Sequence, residues 1–226
     1  MSMDKIFFII SWNHHHIPLK YRELLSLDKN NVKKIIRLAL EHSSISEISV
    51  LSTCNRIEIH VISHDIDKVM SIVESIYETI IHQEFNWKKN KPEIFANLDA
   101  FKHLCLVSSG FDSMAFGENQ ITVQVKNAQD LLINSQPSAK ILDYFYVNAF
   151  MCSNKIRSRF SGKIEPSSVS GLIIEKIKTF GKPLDDLSVL ILGAGESASL
   201  TAELFKKHGA EQIFIANRNT EKSEYL

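Results

Sequence analysis

The strongest constraint on folding lies in residues 189–216. The apolar tetrapeptide Val189-Leu190-Ile191-Leu192 runs straight into Gly193-Ala194-Gly195-Glu196-Ser197-Ala198, followed by a helical pattern over residues 200–208 and a second apolar strand at 213–216. Strand, glycine turn, helix and strand in this order form a parallel βαβ unit. In a Gly-x-Gly-x-x-Ala turn the first glycine permits the tight bend and the second lets backbone approach a pyrophosphate. The small third residue lets helix pack on strand, and the helix N-terminus offers free N–H groups to phosphates. About 20 residues on, an acid normally holds a ribose 2′-hydroxyl; here the sequence reads Ala216-Asn217-Arg218-Asn219. Arg218 and the missing acid favour a 2′-phosphate, hence NADP over NAD. The alternative is a doubly wound fragment that binds no nucleotide. Two parallel strands cannot have both faces covered, so residues 161–226 are expected to be the first part of a Rossmann-type α/β domain, incomplete at the chain's end.

Ahead of this unit the pattern differs. Residues 5–11 read as a buried strand. Asp28 to Asn31 offer caps for a helix carrying Val32, Ile35, Ile36, Ala39 and Leu40 at helical spacing. Strands are expected at 45–51 and 57–63, the second alternating Ile57, Ile59 and Val61 with Glu58 and His60. A long amphipathic helix is expected over 67–83, with further helices at 100–107, 120–132, 140–159 and 169–180 and a turn-rich loop at 110–117. Strand, helix, two adjacent strands and helix fit an α+β domain with a split βαβ sheet. Ser161-Gly162 and Glu165-Pro166 mark the boundary, giving domains 1–160 and 161–226.

Charge and cysteine content narrow the setting. The 26 basic and 26 acidic residues cancel, so no basic field by itself announces a nucleic-acid binder, although a local patch can still dock phosphates. No apolar run is long enough to span a membrane and no signal-peptide layout is present. The three cysteines (Cys54, Cys105, Cys152) form no C-x-x-C pair, which argues against a disulfide scaffold and for a cytoplasmic setting.

Cys54 lies in the polar connector Ser52-Thr53-Cys54-Asn55-Arg56. It reads either as a small buried hydrophobe or as a nucleophile whose thiolate the nearby Arg56 favours. Cys105 and Cys152 sit in helices and read as structural. His14-His15-His16 read as a polar loop before Pro18, because three adjacent histidines cannot converge on one ion from a strand. His103 reads as a satisfied surface histidine or a general base. Residues 112–120, Asp112-Ser113-Met114-Ala115-Phe116-Gly117-Glu118-Asn119-Gln120, form a loop dense in hydrogen-bonding groups that enters a helix.

Taken in order, these segments resemble the glutamyl-tRNA reductase family. The match is carried by Asn13-His14-His15-His16-Ile17-Pro18 with Arg22-Glu23, by Ser52-Thr53-Cys54-Asn55-Arg56, and by His103-Leu104 through Ser109-Gly110-Phe111-Asp112-Ser113-Met114. Gly117-Glu118-Asn119-Gln120-Ile121, Gln124-Val125-Lys126, Gly193-Ala194-Gly195-Glu196 and Ala216-Asn217-Arg218 complete it. The resemblance implies NADPH-dependent reduction of glutamyl-tRNA(Glu) to glutamate-1-semialdehyde through a Cys54 thioester, the first step of five-carbon tetrapyrrole (5-aminolevulinate, porphyrin, haem) synthesis. It further implies His103 as the proton-transfer histidine, and a glutamate pocket of Thr53, Asn55, Arg56, Ser113, Glu118, Asn119, Gln120 and Gln124. Arg56 and Glu118 would meet the substrate's carboxylate and ammonium. Gly193, Ala194, Gly195, Glu196, Ser197, Ala198, Asn217 and Arg218 would hold NADPH.

The implied partners are glutamyl-tRNA and the downstream aminomutase, with a homodimer in the full-length family. The sequence departs from the family pattern at His16, Leu106, Ser108, Asn119 and Pro166. It also ends before the remainder of the NADPH domain and the helical dimerisation domain. The expectation is therefore a truncated or short form that retains acyl transfer and in which hydride transfer is weak or absent. The alternatives are a glutamyl-tRNA thioesterase or a non-catalytic tRNA-binding fragment.

Overall fold

A computed structural model describes residues 4–81, 84–115, 117–160, 169–181 and 183–219. The chain divides into two compact units, residues 1–165 and 166–226. The expected boundary residues 161–166 lie outside the described ones.

In the first unit, β1 (Ile6–Asn13), β2 (Ile45–Ser52), β3 (Arg56–Ser63) and β4 (Glu93–Ala96) form an antiparallel sheet in the order β2-β3-β1-β4. This is the split βαβ arrangement, with β1 and β3 central and each helical crossover skipping one strand. Its first face packs on α2 (Lys29–Ala39) and α3 (Ile66–Glu78). The sequence drives this directly: Val32, Ile35, Ile36 and Ala39 all fall on the buried stripe of α2, and the Asp28 carboxylate caps it by accepting from the Asn31 amide at 2.8 Å. The second face packs on α4 (Asn97–Ser109), α5 (Gln120–Ser135) and α6 (Lys140–Phe160).

Because helices cover both faces, every residue of β3 is buried, Glu58 and His60 included. Their alternation with isoleucines therefore marks two cores rather than a core and a solvated face.

Three elements depart from the sequence reading. A short helix, α1 (Leu19–Leu25), follows Pro18, and β4 was not expected at all. Helix α3 stops at Glu78 rather than 83, where the Thr79 hydroxyl donates to the Ile76 carbonyl at 2.7 Å and ends the last turn. Residues 82–83 lie outside the described ones.

The outer edge of β2 is closed by a side chain. The Gln136 amide accepts from the Ile48 N–H at 3.1 Å and donates to the Ile48 carbonyl at 2.6 Å, as a neighbouring strand would. One turn away, the Glu47 carboxylate accepts from the Ile141 and Leu142 amides at 3.1 and 2.7 Å and caps α6.

The second unit holds α7 (Val169–Lys178), β5 (Ser188–Leu192), α8 (Glu196–Lys207) and β6 (Gln212–Ala216), with β5 and β6 parallel and in register. Helix α8 begins at Glu196, four residues before the expected start, because the glycine turn itself supplies the N-cap at Gly195. Ile174, Leu184, Phe205 and Ala210 form the core, while Leu190, Leu192 and Phe214 stand exposed on the other sheet face.

Candidate active site

Three loops meet where β1 ends and β3 begins. The first follows β1 and carries His14, His15 and His16. The second is the tight β2–β3 connection with Cys54 at its tip. The third runs from α4 to α5 and carries Asp112 and Ser113.

Thr53 builds the connection. Its hydroxyl donates to the Arg56 carbonyl at 3.2 Å and accepts from the Asn55 and Arg56 amides at 3.2 and 3.0 Å. Its hydroxyl is therefore spent on shaping the turn that presents Cys54. Cys54 is exposed and free, which sets aside the buried-hydrophobe reading. Arg22 of α1 is buried and pins this turn from below, its Nε donating to the Cys54 carbonyl at 3.3 Å and its Nη1 to the Ile17 carbonyl.

Beneath the turn lies a charge network centred on Glu58, which is fully buried. Its Oε1 lies 2.8 Å from Arg56 Nη1, 2.7 Å from His103 Nε2 and 3.0 Å from the donating Ser11 hydroxyl; its Oε2 lies 3.1 Å from His60 Nε2. His60 Nδ1 in turn sits 2.7 Å from the Tyr146 hydroxyl. Burial alone would raise the Glu58 carboxyl, but the charges of His103 and Arg56 and these hydrogen bonds hold it well below the usual carboxylate range. His103 feels the reverse balance. Burial disfavours its cation, yet the Glu58 charge and hydrogen bond raise its pKa above the usual histidine value. Only 7% exposed and stacked on the Phe95 ring at 4.2 Å, His103 is no surface histidine.

The Arg56 guanidinium is 1% exposed and bridges Glu58 to Asp112, whose carboxylate accepts at 2.8 Å while its main-chain carbonyl accepts from the same nitrogen. Burial would raise the Asp112 carboxyl, but Arg56 and His15 hold it low. His15 Nε2 lies 3.0 Å from the second Asp112 oxygen. His16 Nδ1 sits against Asn13 and Glu93. His14 is lowered to about 4 by burial and neighbouring cations.

Arg56 is thus already paired twice, and in this state it ties the third loop to the turn. The expectation that it meets a substrate carboxylate would require it to exchange or share one of these partners. The thiolate-favouring cation near Cys54 is likewise already balanced by two carboxylates.

The remaining expected pocket residues spread out. Ser113 and Asn55 are half-buried near the turn, and the half-buried Glu118 carboxylate engages no partner among the described residues. Asn119 and the Glu118 carbonyl are held by the Arg157 guanidinium, the carbonyl at 2.8 Å. Gln120 is exposed at the start of α5, and Gln124 lines a separate cavity along β2. Of the departures, Leu106 is exposed, and the buried Ser108 uses its carbonyl to accept from Thr122 and Ser153. Cys105 is buried and its thiol is pushed up to about 12 by burial and the neighbouring Cys152.

Sequence reading missed Glu58, Asp112 and Arg22 as site residues. The available signal was an acid and a histidine on a strand with apolar neighbours on both sides.

In the second unit, Gly193 turns with φ +116°, a conformation L side chains rarely adopt, and its N–H donates to the Ala216 carbonyl at 2.7 Å. A Cβ built on Gly195 meets no protein atom within 4 Å, so the space over the turn is open. Gly195 caps α8, with the Ala198 and Ser199 amides bonded back to its carbonyl. Ala194 lies within the turn and Ser197 in the first turn of α8; the Glu196 side chain lies outside the described residues. Arg218 is exposed beyond β6, and Asn217 folds its amide onto the Asn219 carbonyl at 2.8 Å. The glycine turn and the first amides of α8 fit a dinucleotide pyrophosphate.

An α+β unit presenting a free thiol above a buried charge network, followed by a Rossmann-type turn, defines a class of two-unit α/β proteins. Residues 10–160 match the model of the glutamyl-tRNAGlu reductase N-terminal domain, and residues 175–226 match the shikimate/quinate 5-dehydrogenase family. The chain belongs to the glutamyl-tRNA reductase family. It is 33% identical over 216 residues to the glutamyl-tRNA reductase of Carboxydothermus hydrogenoformans, covering 96% of this chain and 48% of that protein. It is also 33% identical over 224 residues to that of a Sulfurihydrogenibium species, covering 98% and 50%. The solved glutamyl-tRNA reductase from Methanopyrus kandleri shares the fold, with a TM-score of 0.61 at 22% identity over 97% of this chain and 51% of the other. The chain thus spans about half the length of the curated relatives it matches. Among the described residues no helix is long and apolar enough to cross a membrane.

Proposed function

We propose that the chain carries the acyl-capture site of a glutamyl-tRNA reductase, with Cys54 as nucleophile. The observation that carries this reading is the exposed Cys54 thiol on a turn held by Thr53 and Arg22, whose last residue, Arg56, joins the buried Glu58–His103 network. The Cys54 thiolate attacks the ester carbonyl of glutamyl-tRNA. The Sγ–C bond forms, the C–O bond to the ribose breaks, and the tRNA hydroxyl leaves with a proton. His103, whose protonated form the Glu58 charge and hydrogen bond favour, is the proton source, and its Nδ1 makes no hydrogen bond within the described residues. Glu118, with its carboxylate unengaged, meets the substrate ammonium, and Ser113, Asn55 and Gln120 supply neutral donors and acceptors.

A thioester accepts hydride far more readily than an ester, which explains the covalent detour. In the second unit Gly193, Ala194, Gly195 and the first amides of α8 would hold a pyrophosphate, and Asn217 with Arg218 a 2′-phosphate, so NADPH is the cofactor these residues select. Bound there, NADPH supplies the hydride that takes the thioester to the aldehyde level as glutamate-1-semialdehyde. This product leads on to 5-aminolevulinate, through an aminomutase that consumes it.

Intact-protein mass spectrometry after brief mixing with glutamyl-tRNA, without NADPH, tests the site. A glutamyl adduct on the native chain and none on Cys54→Ser is the expected result. A folded native chain that binds the tRNA yet carries no adduct would overturn the reading and leave a binding fragment.

A further inference from the structure

The charged residues of helix α2 are all of one sign. Its eleven residues hold Lys29, Lys33, Lys34 and Arg37 and no acid. All four are exposed, and none joins an ion pair among the described residues. Lys29, Lys33 and Arg37 recur every four residues and so form one stripe about 12 Å long.

The stripe does not start at a random place. The Leu27 amide, just ahead of α2, donates to the Ser52 hydroxyl at 2.9 Å, and Ser52 is two residues from Cys54. Between this end of α2, the end of β2 and the length of α5 from Gln124 to Asn134 lies a cavity of about 350 Å³. Its floor is apolar (Val32, Val50, Leu131), its α5 rim carries the amides of Gln124, Asn127 and Asn134, and Lys29 and Lys33 stand on the α2 rim. Of the acids nearby, Asp28 caps α2, Asp130 stands on the α5 rim of the cavity and pairs with Lys126 at 3.5 Å, and Glu41 lies beyond the far end of the helix.

We infer that this cavity and the α2 stripe together seat the single-stranded end of an RNA, with the terminal nucleoside in the cavity and the phosphates before it on Lys29, Lys33 and Arg37. An apolar floor with an amide rim suits a base, which has flat apolar faces and an edge of donors and acceptors. Unpaired cations at helical spacing suit a backbone of repeated negative charge. The position completes the argument, because a nucleoside at Ser52 brings an ester on its ribose to the Cys54 turn. The inference rests on the reading of Cys54 as the acyl acceptor and adds where the RNA lies.

The test uses the whole chain and a labelled, deacylated RNA hairpin with an unpaired 3′ end, titrated by fluorescence anisotropy between about 50 and 200 mM salt. Lys29→Glu/Lys33→Glu/Arg37→Glu is expected to weaken binding at least tenfold. It should also flatten the log–log salt dependence by about 2, at ~0.7 for each phosphate no longer neutralised. Lys88→Glu/Lys89→Glu, on a different surface, should bind as the native chain does. Unchanged reactivity of Cys54 toward a small thiol reagent certifies the fold of each variant, with Lys33→Glu alone as the milder substitute. For the cavity, trimming the 3′ nucleotide should weaken binding to the native chain and make no difference to Asn127→Trp.

Binding of the triple variant within twofold of native, or an equal trimming effect in Asn127→Trp and native, overturns the inference. The two proposals fail separately. A Cys54 adduct with normal RNA binding by the α2 variants sinks only the docking surface, whereas α2-dependent RNA binding without an adduct sinks only the chemistry.

Discussion

Replacing Glu58 by glutamine tests the buried network at its centre. The side chain keeps its size but loses its charge, and one of its oxygens becomes a donor facing groups that already donate. Glu58 now serves Arg56, His103, His60 and Ser11, all within 3.1 Å. Breaking a buried ion pair by removing one partner costs about 3–5 kcal/mol. Arg56 keeps Asp112, which places the cost near the lower end, about 3 kcal/mol. For a folding unit of this size that corresponds to a fall in melting temperature of roughly 6–12 °C.

The pH dependence is the sharper readout. His103 is raised by Glu58, so their pairing stabilises fully below the ordinary histidine value of 6.5 and is lost as pH rises through the higher folded value. Glu58 is depressed, so its contribution is present above 4.5 and is lost only as pH falls through its low folded value. The native chain should therefore be most stabilised by this pair at about pH 5–6 and weaken toward alkaline pH, whereas Glu58→Gln should lose that alkaline slope. Urea unfolding followed by fluorescence of the buried Trp12, repeated across pH, measures both. A loss below about 1 kcal/mol with the alkaline slope intact would refute the reasoning.

Three further outcomes are expected. Gly110 ends α4 at φ +76°, and a Cβ there would sit 2.7 Å from the Glu118 carbonyl; Gly110→Ala should cost at least about 2 kcal/mol and displace the loop carrying Asp112, read by urea unfolding and by altered Cys54 reactivity. Thiol titration with a disulfide reagent near pH 8 should consume the exposed Cys54 first and Cys105 last, since burial holds the latter near 12; equal rates would contradict the assigned burial. Arg218→Asp should shift dinucleotide preference from the 2′-phosphorylated toward the unphosphorylated form by at least about tenfold, one charge-assisted hydrogen bond being worth roughly 1.5–3 kcal/mol, as read from paired binding titrations.

Periodicity carried most of the fold. The helix stripe of α2, the strand pair β2–β3 and the glycine turn after β5 are legible because each repeats a pattern set by local geometry. β4 is four residues with an acid at its start, and α1 is seven residues behind a proline; neither is long enough to show a period. The site was half legible. Cys54 and His103 stand out through their surroundings and the family likeness. Glu58 hid because a polar residue alternating with isoleucines looks solvent-facing, and only the packing of α4 and α6 over that face turns it into the centre of a network. The distance in sequence between Arg56 and Asp112 conceals their pairing for the same reason.

The Gln136 amide that completes the edge of β2 joins residues 88 positions apart. It can close only after α5 has docked, so it forms late, at a high entropic cost of loop closure. Until then the β2 edge remains a template for any strand that drifts by. Gln136 therefore acts as a latch on assembly order: Gln136→Leu should leave the folded chain little changed in shape yet raise the fraction lost to aggregation during refolding, increasingly so at higher protein concentration.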